Sequence, residues 1–196
     1  MLTRTTTALL EALLDPADDE VWRDFDRRYR PILIAFARRL GLPDEDAADA
    51  AQETLARFVR SYRDGKYDRD RARLRSWIIG IARHCIYDIH QRRATDPRRG
   101  LSAISELPDE PTLNAMWDQE CGQEILRQGI SELRQQTRTD EGTIRAFEML
   151  AFDGRKPAEI ADALSMSLND VYLAKHRCLK RLREILSRLE HLYEVA

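Results

Sequence analysis

The sequence predicts an all-α protein: two small helical domains joined by a flexible acidic linker, the second domain a helix-turn-helix. Three observations carry this. Apolar residues recur at three- and four-residue intervals through the long segments of the 196-residue chain, the period of a helix buried along one side. The pattern breaks over "ATDPRRGLSAISELPDEPTLN", where Pro97, Gly100, Pro108 and Pro111 with serines and acids read as a linker. Charge is sorted along the chain although the formal net charge is only -2. Residues Arg60 to Arg99 hold 12 basic side chains against 5 acidic, Gly100 to Leu126 hold 6 acidic and none basic, and Lys175 to Arg188 hold 6 basic against 1 acidic. The expected division is therefore a domain over 1–95, a linker over 96–112 and a second domain over 113–196. Domains this small are only marginally able to bury a core of their own, which suits a protein that leans on a partner.

The elements follow in order. "DPADDEVWRDFDRRY" predicts a helix with Asp15 as N-cap, Pro16 at the first helical position and Val21, Trp22, Phe25 and Tyr29 on its apolar face. Pro31 is expected to restart it as "PILIAFARRLG", which stops at Gly41. The next helix has Asp44 as cap and Ala48, Ala51, Leu55, Phe58, Val59 and Tyr62 as its stripe; it is acidic at its start, basic at its end and stops near Gly65. "LRSWIIGIARHCIYDIHQRR", Leu74 to Arg93, then gives a helix with Leu74, Trp77, Ile78, Ile81, Ala82, Cys85, Ile86 and Ile89 inward, and Ile79, Arg83, Tyr87 and Gln91 on another face. Beyond the linker, one helix is expected from near Leu113 to about Gln135, locally weakened by Gly122 and Gly129, and another from about Asp140 to Phe152.

The strongest pattern lies near the C-terminus. Pro157 opens a short helix with Ile160 and Leu164 inward; "SMS" turns the chain, and Ser167 with Asp170 makes a capping-box start for the last helix. Val171, Ala174, Cys178, Leu182 and Ile185 form that helix's inner side. Two helices joined this tightly present the residues near the start of the second to a DNA major groove. The outward candidates are Asn169, Asp170, Tyr172, Lys175, His176, Arg177 and Lys180.

Composition excludes several classes. Three widely spaced cysteines, Cys85, Cys121 and Cys178, suit a reducing cytoplasm rather than a disulfide framework. No apolar run approaches the roughly 18 residues of a membrane span, and "MLTRTTTALLEALL" is too short for a secretory signal. His84, Cys85 and His90 lack any metal-ligand spacing, so neither a metal nor another cofactor is expected. No nucleophile with its base and no paired carboxylates emerge, so an enzyme is not expected. Two basic blocks around an acidic strip point instead to two surfaces meeting one polyanion. In the first block, arginines beside aromatics match the way single-stranded nucleic acid is held, by charge on phosphates and stacking on bases. The helix dipole alone also accounts for Arg92 and Arg93 at a helix end.

Three signatures, "DAAQE" from Asp49 to Glu53, "LRSWIIGIARHCIYDIHQRR" and "EIADALSMSLNDVYLAKHRCLKRLR", occur in this order. Together they resemble the extracytoplasmic-function group of bacterial RNA polymerase sigma factors over nearly the whole chain. The resemblance implies a sigma factor that binds core RNA polymerase and directs promoter recognition and transcription initiation. Residues 1–95 would be the region 2 domain, with Asp49, Gln52 and Glu53 docking on the β′ clamp helices. Arg75, Arg83, His84, Tyr87, Arg92 and Arg93 would face the melted start-proximal promoter DNA, a flipped base being held by the loop Tyr67 to Arg75 and the helix after it. Residues 113–196 would be the region 4 helix-turn-helix domain, reading upstream promoter duplex with Asn169, Tyr172, Lys175, His176, Arg177 and Lys180. The implied partners are core polymerase, through its β′ and β subunits, promoter DNA, and an anti-sigma factor as regulator, with no membrane. The chain departs from the family pattern at His84, where Asn is usual, and at Ser165, where Gly is usual; its recognition helix, "NDVYLAKHR", is its own. A stand-alone helix-turn-helix regulator is the rival reading; it explains the C-terminal half but neither "DAAQE" nor the linker.

Overall fold

The computed structural model describes residues 6–15, 18–68, 73–94, 107–135 and 140–193. Among them are eight helices and no strand: α1 (Thr6–Ala12), α2 (Asp19–Arg39), α3 (Asp44–Arg63), α4 (Leu74–Ala94), α5 (Glu110–Gln135), α6 (Glu141–Ala151), α7 (Pro157–Leu164) and α8 (Leu168–Tyr193). The protein is all-α. Pro16, most of the expected linker and residues 69–72 of the loop before α4 lie outside the described residues. The chain forms two compact units, one of Met1–Glu124 with Leu192–Ala196 and one of Ile125–His191.

In the first unit α2 differs from expectation at two points. Its N-cap is Asp18 rather than Asp15, with the carboxylate accepting from the Glu20 and Val21 N–H groups at 3.1 Å. Nor does Pro31 divide it. The proline removes one helical hydrogen bond, but Phe25, Tyr29, Ile32, Leu33 and Phe36 are all buried on both sides of it, and that packing holds one 21-residue helix. Pro43 precedes α3, whose first turn carries Asp44, Glu45 and Asp46 where the helix dipole favours acids. The buried stripe of α3 includes Ala47 and Ala50 in place of the expected Ala48. α1, which sequence periodicity left unassigned, adds Leu9, Leu10 and Leu13 to the core.

The inward face of α4 is rotated from the expected one. Leu74, Ile78, Ile79, Ala82, Cys85, Ile86 and His90 are buried, whereas Trp77, Ile81 and Ile89 are only partly buried and pack at the edge of the core. Ile79, expected on the polar side, is 4% exposed. His90 is accommodated because its Nε2–H donates to the Leu40 carbonyl at 3.0 Å. Trp77 stacks on Tyr67, with centroids 4.8 Å apart and 24° between planes, and meets Phe58 edge-on at 5.1 Å.

The compact units divide between Glu124 and Ile125, downstream of the expected 112/113 boundary. Leu113 and Trp117 explain why: both are buried in the first unit's core, with Trp117 edge-on to Phe36 at 5.6 Å. At the far end of the chain, Leu192 and Tyr193 also count with this unit. The buried Arg28, 1% exposed, donates from Nη1 to the Leu192 carbonyl at 2.8 Å and to Thr6 Oγ1 at 3.2 Å, and its guanidinium lies 5.4 Å from the centre of the Tyr193 ring. A cation at the negative end of a helix, over an aromatic face, is electrostatically favourable.

The second unit follows the local rules of the sequence closely. Asp140 caps α6 by accepting from the Thr143 N–H at 3.2 Å. Ser167 and Asp170 form the expected reciprocal box: the Asp170 N–H donates to Ser167 Oγ at 3.1 Å and the Ser167 N–H to Asp170 Oδ2 at 3.3 Å. Between α7 and α8, Ser165 sits in the left-handed region at φ 52°. The Met166 N–H donates to the Ala161 carbonyl at 2.9 Å and the Ser165 N–H to the Asp162 carbonyl at 3.4 Å, the paired bonds of a Schellman ending. Met166 packs on the cluster of Ala146, Met149, Ile160, Ala161, Val171 and Ala174.

Candidate nucleic-acid interface

The seam between α3 and α4 carries two grooves. The first, of 760 Å³, has Asp49, Gln52 and Glu53 on its α3 wall and Cys85, Ile89, Arg92 and Arg93 on its α4 wall. The fold thus places three candidate docking residues beside two candidate DNA-binding arginines. Arg93 is ion-paired with Asp46, and Arg92 is exposed with Nε donating to the Asp88 carbonyl at 3.2 Å. Asp49 and Gln52 face solvent, while Glu53 is half-buried and accepts from Arg57 Nε at 2.6 Å.

The second groove, of 540 Å³, has Trp77, Gly80, Ile81 and His84 along α4 and Arg57, Arg60 and Lys66 on the opposite side. It combines an apolar floor with a rim of mixed charge, where Asp64 and Asp88 also line the groove and pair with Lys66 at 3.1 Å and Arg57 at 3.6 Å; apolar surface beside cations is the pairing that single-stranded nucleic acid requires. His84 is held by the Gly80 carbonyl, 2.7 Å from Nδ1. Because a carbonyl only accepts, Nδ1 carries the proton, and Nε2 is left as an acceptor in the neutral ring. Arg57 lines both grooves; it pairs with Glu53 of its own helix at 2.6 Å, and its ion pair with Asp88 at 3.6 Å ties α3 to α4 between them.

The remaining candidates on α4 lie elsewhere. Arg83 and Tyr87 are exposed, Tyr87 by 46%, and line neither groove. Arg75 pairs with α5, its Nη1 lying 2.6 Å from Asp118 Oδ1 and its Nε 3.4 Å from Asn114 Oδ1. Its charge is therefore already partly answered by the acidic stretch that follows the expected linker. Arg57, Arg60 and Lys66 were not among the sequence candidates. Their signal was the basic end of α3 and, for Arg57, its position four residues after Glu53.

In the second unit, Asn169, Tyr172, Lys175, His176, Arg177 and Lys180 are all exposed on α8, while Val171, Ala174, Cys178 and Leu182 are buried. Leu168 and Leu173 are exposed as well.

Residues 25–95 match the model of the family Sigma-70 region 2. The match supports a sigma-70 family factor. The matched segment runs from Phe25 in α2 through the end of α4 and contains both walls of both grooves. Sigma-70 region 2 belongs to transcription initiation factors, and the match supports a role in RNA polymerase binding and transcription initiation. No helix among the described residues is long and apolar enough to cross a membrane.

Proposed function

We propose that this chain is a sigma factor of the extracytoplasmic-function group, a cytoplasmic protein that binds core RNA polymerase and directs it to a promoter. The observation that carries the reading is the coincidence of the region 2 match with the α3–α4 seam, where acids of α3 face arginines of α4 across one groove and Trp77, Ile81 and His84 of α4 face Arg57, Arg60 and Lys66 across the other. Asp49, Gln52 and Glu53 dock on the β′ clamp helices. His84 receives an unpaired base in the second groove, where Trp77 and Ile81 supply apolar surface and Arg57, Arg60 and Lys66 attract the phosphates. Arg92 and Arg93, at the negative end of α4, hold the strand further along, Arg93 once Asp46 yields it. Tyr87 and Arg83, on the exposed side of α4, meet the duplex edge during opening, and Arg75 joins when Asp118 releases it. Residues 1–95 act as the region 2 domain and, of the expected 113–196, the compact unit Ile125–His191 acts as the region 4 domain, with α8 reading upstream duplex through Asn169, Tyr172, Lys175, His176, Arg177 and Lys180. The β subunit and an anti-sigma factor complete the set of partners.

Co-purification of the full chain with core polymerase, followed by mapping of transcript starts, tests this reading. Exchanging both Gln52 and Glu53 for Ala should weaken polymerase binding while the chain stays folded, because neither side chain is buried. Unchanged co-purification by the double variant removes the docking assignment. Sequence-specific binding to promoter duplex without polymerase, together with no polymerase capture, favours the stand-alone regulator instead.

A further inference from the structure

The first half of α5 holds to the first unit by two kinds of contact. Leu113 and Trp117, one turn apart, are buried in the core, and polar side chains of the same turns meet arginines of α2 and α4. Arg39 Nη1 donates to Glu120 Oε1 at 3.2 Å; Arg75 donates from Nη1 to Asp118 Oδ1 at 2.6 Å and from Nε to Asn114 Oδ1 at 3.4 Å. Glu120 lies at helical spacing from Leu113 and Trp117 and is only 8% exposed, whereas Arg39 is exposed. A buried ion pair seldom holds better than the apolar pair that could replace it, and a carboxylate left there without its cation is costly. The docked face thus depends on arginines that a competing anion can reach.

Two further features mark this segment as detachable. No Lys or Arg occurs from Gly100 to Leu126, so a polyanion that takes Arg39 or Arg75 meets only acids on the segment and repels it. At its end stands Gly122, where an added Cβ would meet nothing within 4 Å. Close packing therefore does not require the glycine, yet it weakens α5 just before the boundary between the units at Glu124 and Ile125. We propose that the stretch Glu110–Cys121 is an autoinhibitory strap: in the free chain its acids occupy Arg39 and Arg75, and single-stranded nucleic acid competes for both and releases it, α5 parting at Gly122. The identity of the competing anion rests on the sigma-factor reading; the strap itself rests on contacts within the first unit.

The test measures two quantities in the full chain without polymerase. One is the affinity for a short mixed-sequence single-stranded DNA across a salt series; the other is the rate at which a thiol reagent modifies each cysteine, resolved by peptide mass spectrometry. Cys121 packs partly buried on the core from within the strap, while Cys85 and Cys178 are buried outside it and serve as controls. Saturating DNA should speed modification of Cys121 several-fold and make Cys85 and Cys178 no faster. The negative field of bound DNA by itself disfavours the reactive thiolate, so it acts in the opposite direction. Asp118→Asn combined with Glu120→Gln should tighten DNA binding, and with two arginines freed the advantage over the parent should grow about twelvefold as salt falls from about 200 to 50 mM. Gly122→Ala should slow Cys121 modification about fourfold without DNA, through the helix propensity of alanine over glycine. Unchanged Cys121 reactivity with bound DNA overturns the strap, and so does a double variant that binds DNA no more tightly than the parent. Faster modification of all three cysteines on adding DNA also overturns it, by assigning the segment to the permanent fold. The labelling induced by DNA uses the unaltered chain, so a misfolded variant cannot obscure it. Failure of the unaltered chain to direct core polymerase to any promoter removes the sigma-factor reading, and the strap is then decided by its release by DNA alone.

Discussion

Ser165→Gly should stabilise the protein. The turn between α7 and α8 holds Ser165 at φ 52°, ψ 42°, a conformation in which an L side chain crowds the following carbonyl. That crowding costs roughly 1–2 kcal/mol, and glycine escapes it. Against the gain stands the greater freedom of glycine in the unfolded chain, about 0.4–1 kcal/mol. The side chain is exposed and the two hydrogen bonds of the turn are backbone bonds, so nothing else is lost. The net is a stabilisation of about 0.5–1 kcal/mol, or roughly 1–4 °C in Tm for a chain of this size. Ser165→Val should move the other way by more than about 1 kcal/mol, because a β-branched side chain tolerates positive φ least. Urea unfolding of the full chain, followed by circular dichroism and by calorimetry, measures both. A neutral or destabilising glycine together with a tolerated valine would refute the argument, since it would show that the turn stores no left-handed strain.

Gly122→Ala and Gly129→Ala should differ although both replace a glycine inside α5. A Cβ at Gly122 meets nothing within 4 Å and should add the helix propensity of alanine, about 0.8–1 kcal/mol, whereas one at Gly129 falls 2.7 Å from Leu186 Cδ2 and should lose that gain to displaced packing; paired thermal melts compare them. Asp118→Asn should change stability by no more than about 1 kcal/mol, because both partners of the Arg75 pair are about half exposed. The same variant should tighten promoter complexes at low salt and steepen their salt dependence by about 0.9 in slope, by freeing Arg75 for one more phosphate, which a salt titration of holoenzyme binding reads. The three thiols should react slowly with a thiol reagent in the native protein at pH 8 and quickly in urea. Burial raises all three, and Cys121, with Asp118 adding to the effect, is pushed up to about 12 from 9.0. The unfolded Cys121 thiol therefore ionises first, so its contribution is intact below pH 9 and stability falls between pH 9 and about 12, which pH-dependent urea midpoints should show.

What the sequence by itself determined is what a few neighbouring residues decide. The Ser167–Asp170 box, the start of α7 at Pro157 and the stops at Gly41 and Gly65 all depend on groups within one turn of each other, and each was legible. So was the all-α class, because helical spacing recurs along the chain. Pro31 was misread because the local rule for proline ignores what lies on either side, and here that is buried aromatic and aliphatic surface on one continuous face. The strand-free α4 presents the opposite difficulty. It carries apolar residues at Trp77, Ile78, Ile79, Ile81, Ile86 and Ile89, more than one face can bury, and only contact with α2 and α3 decided that Ile79 goes in while Trp77 and Ile81 stay at the edge. The candidate site divides in the same way. That Asp49, Gln52 and Glu53 share an outward side of one helix, and Arg92 and Arg93 the end of another, follows from the helical period. That the two sets line one groove, that Arg57 ties the helices together and that Asp118 meets Arg75 required the tertiary structure. Hydrogen-bond caps act over a few ångströms of contiguous chain, but the partner of an arginine 43 residues away is set only when apolar faces such as those of Leu113 and Trp117 find the same core.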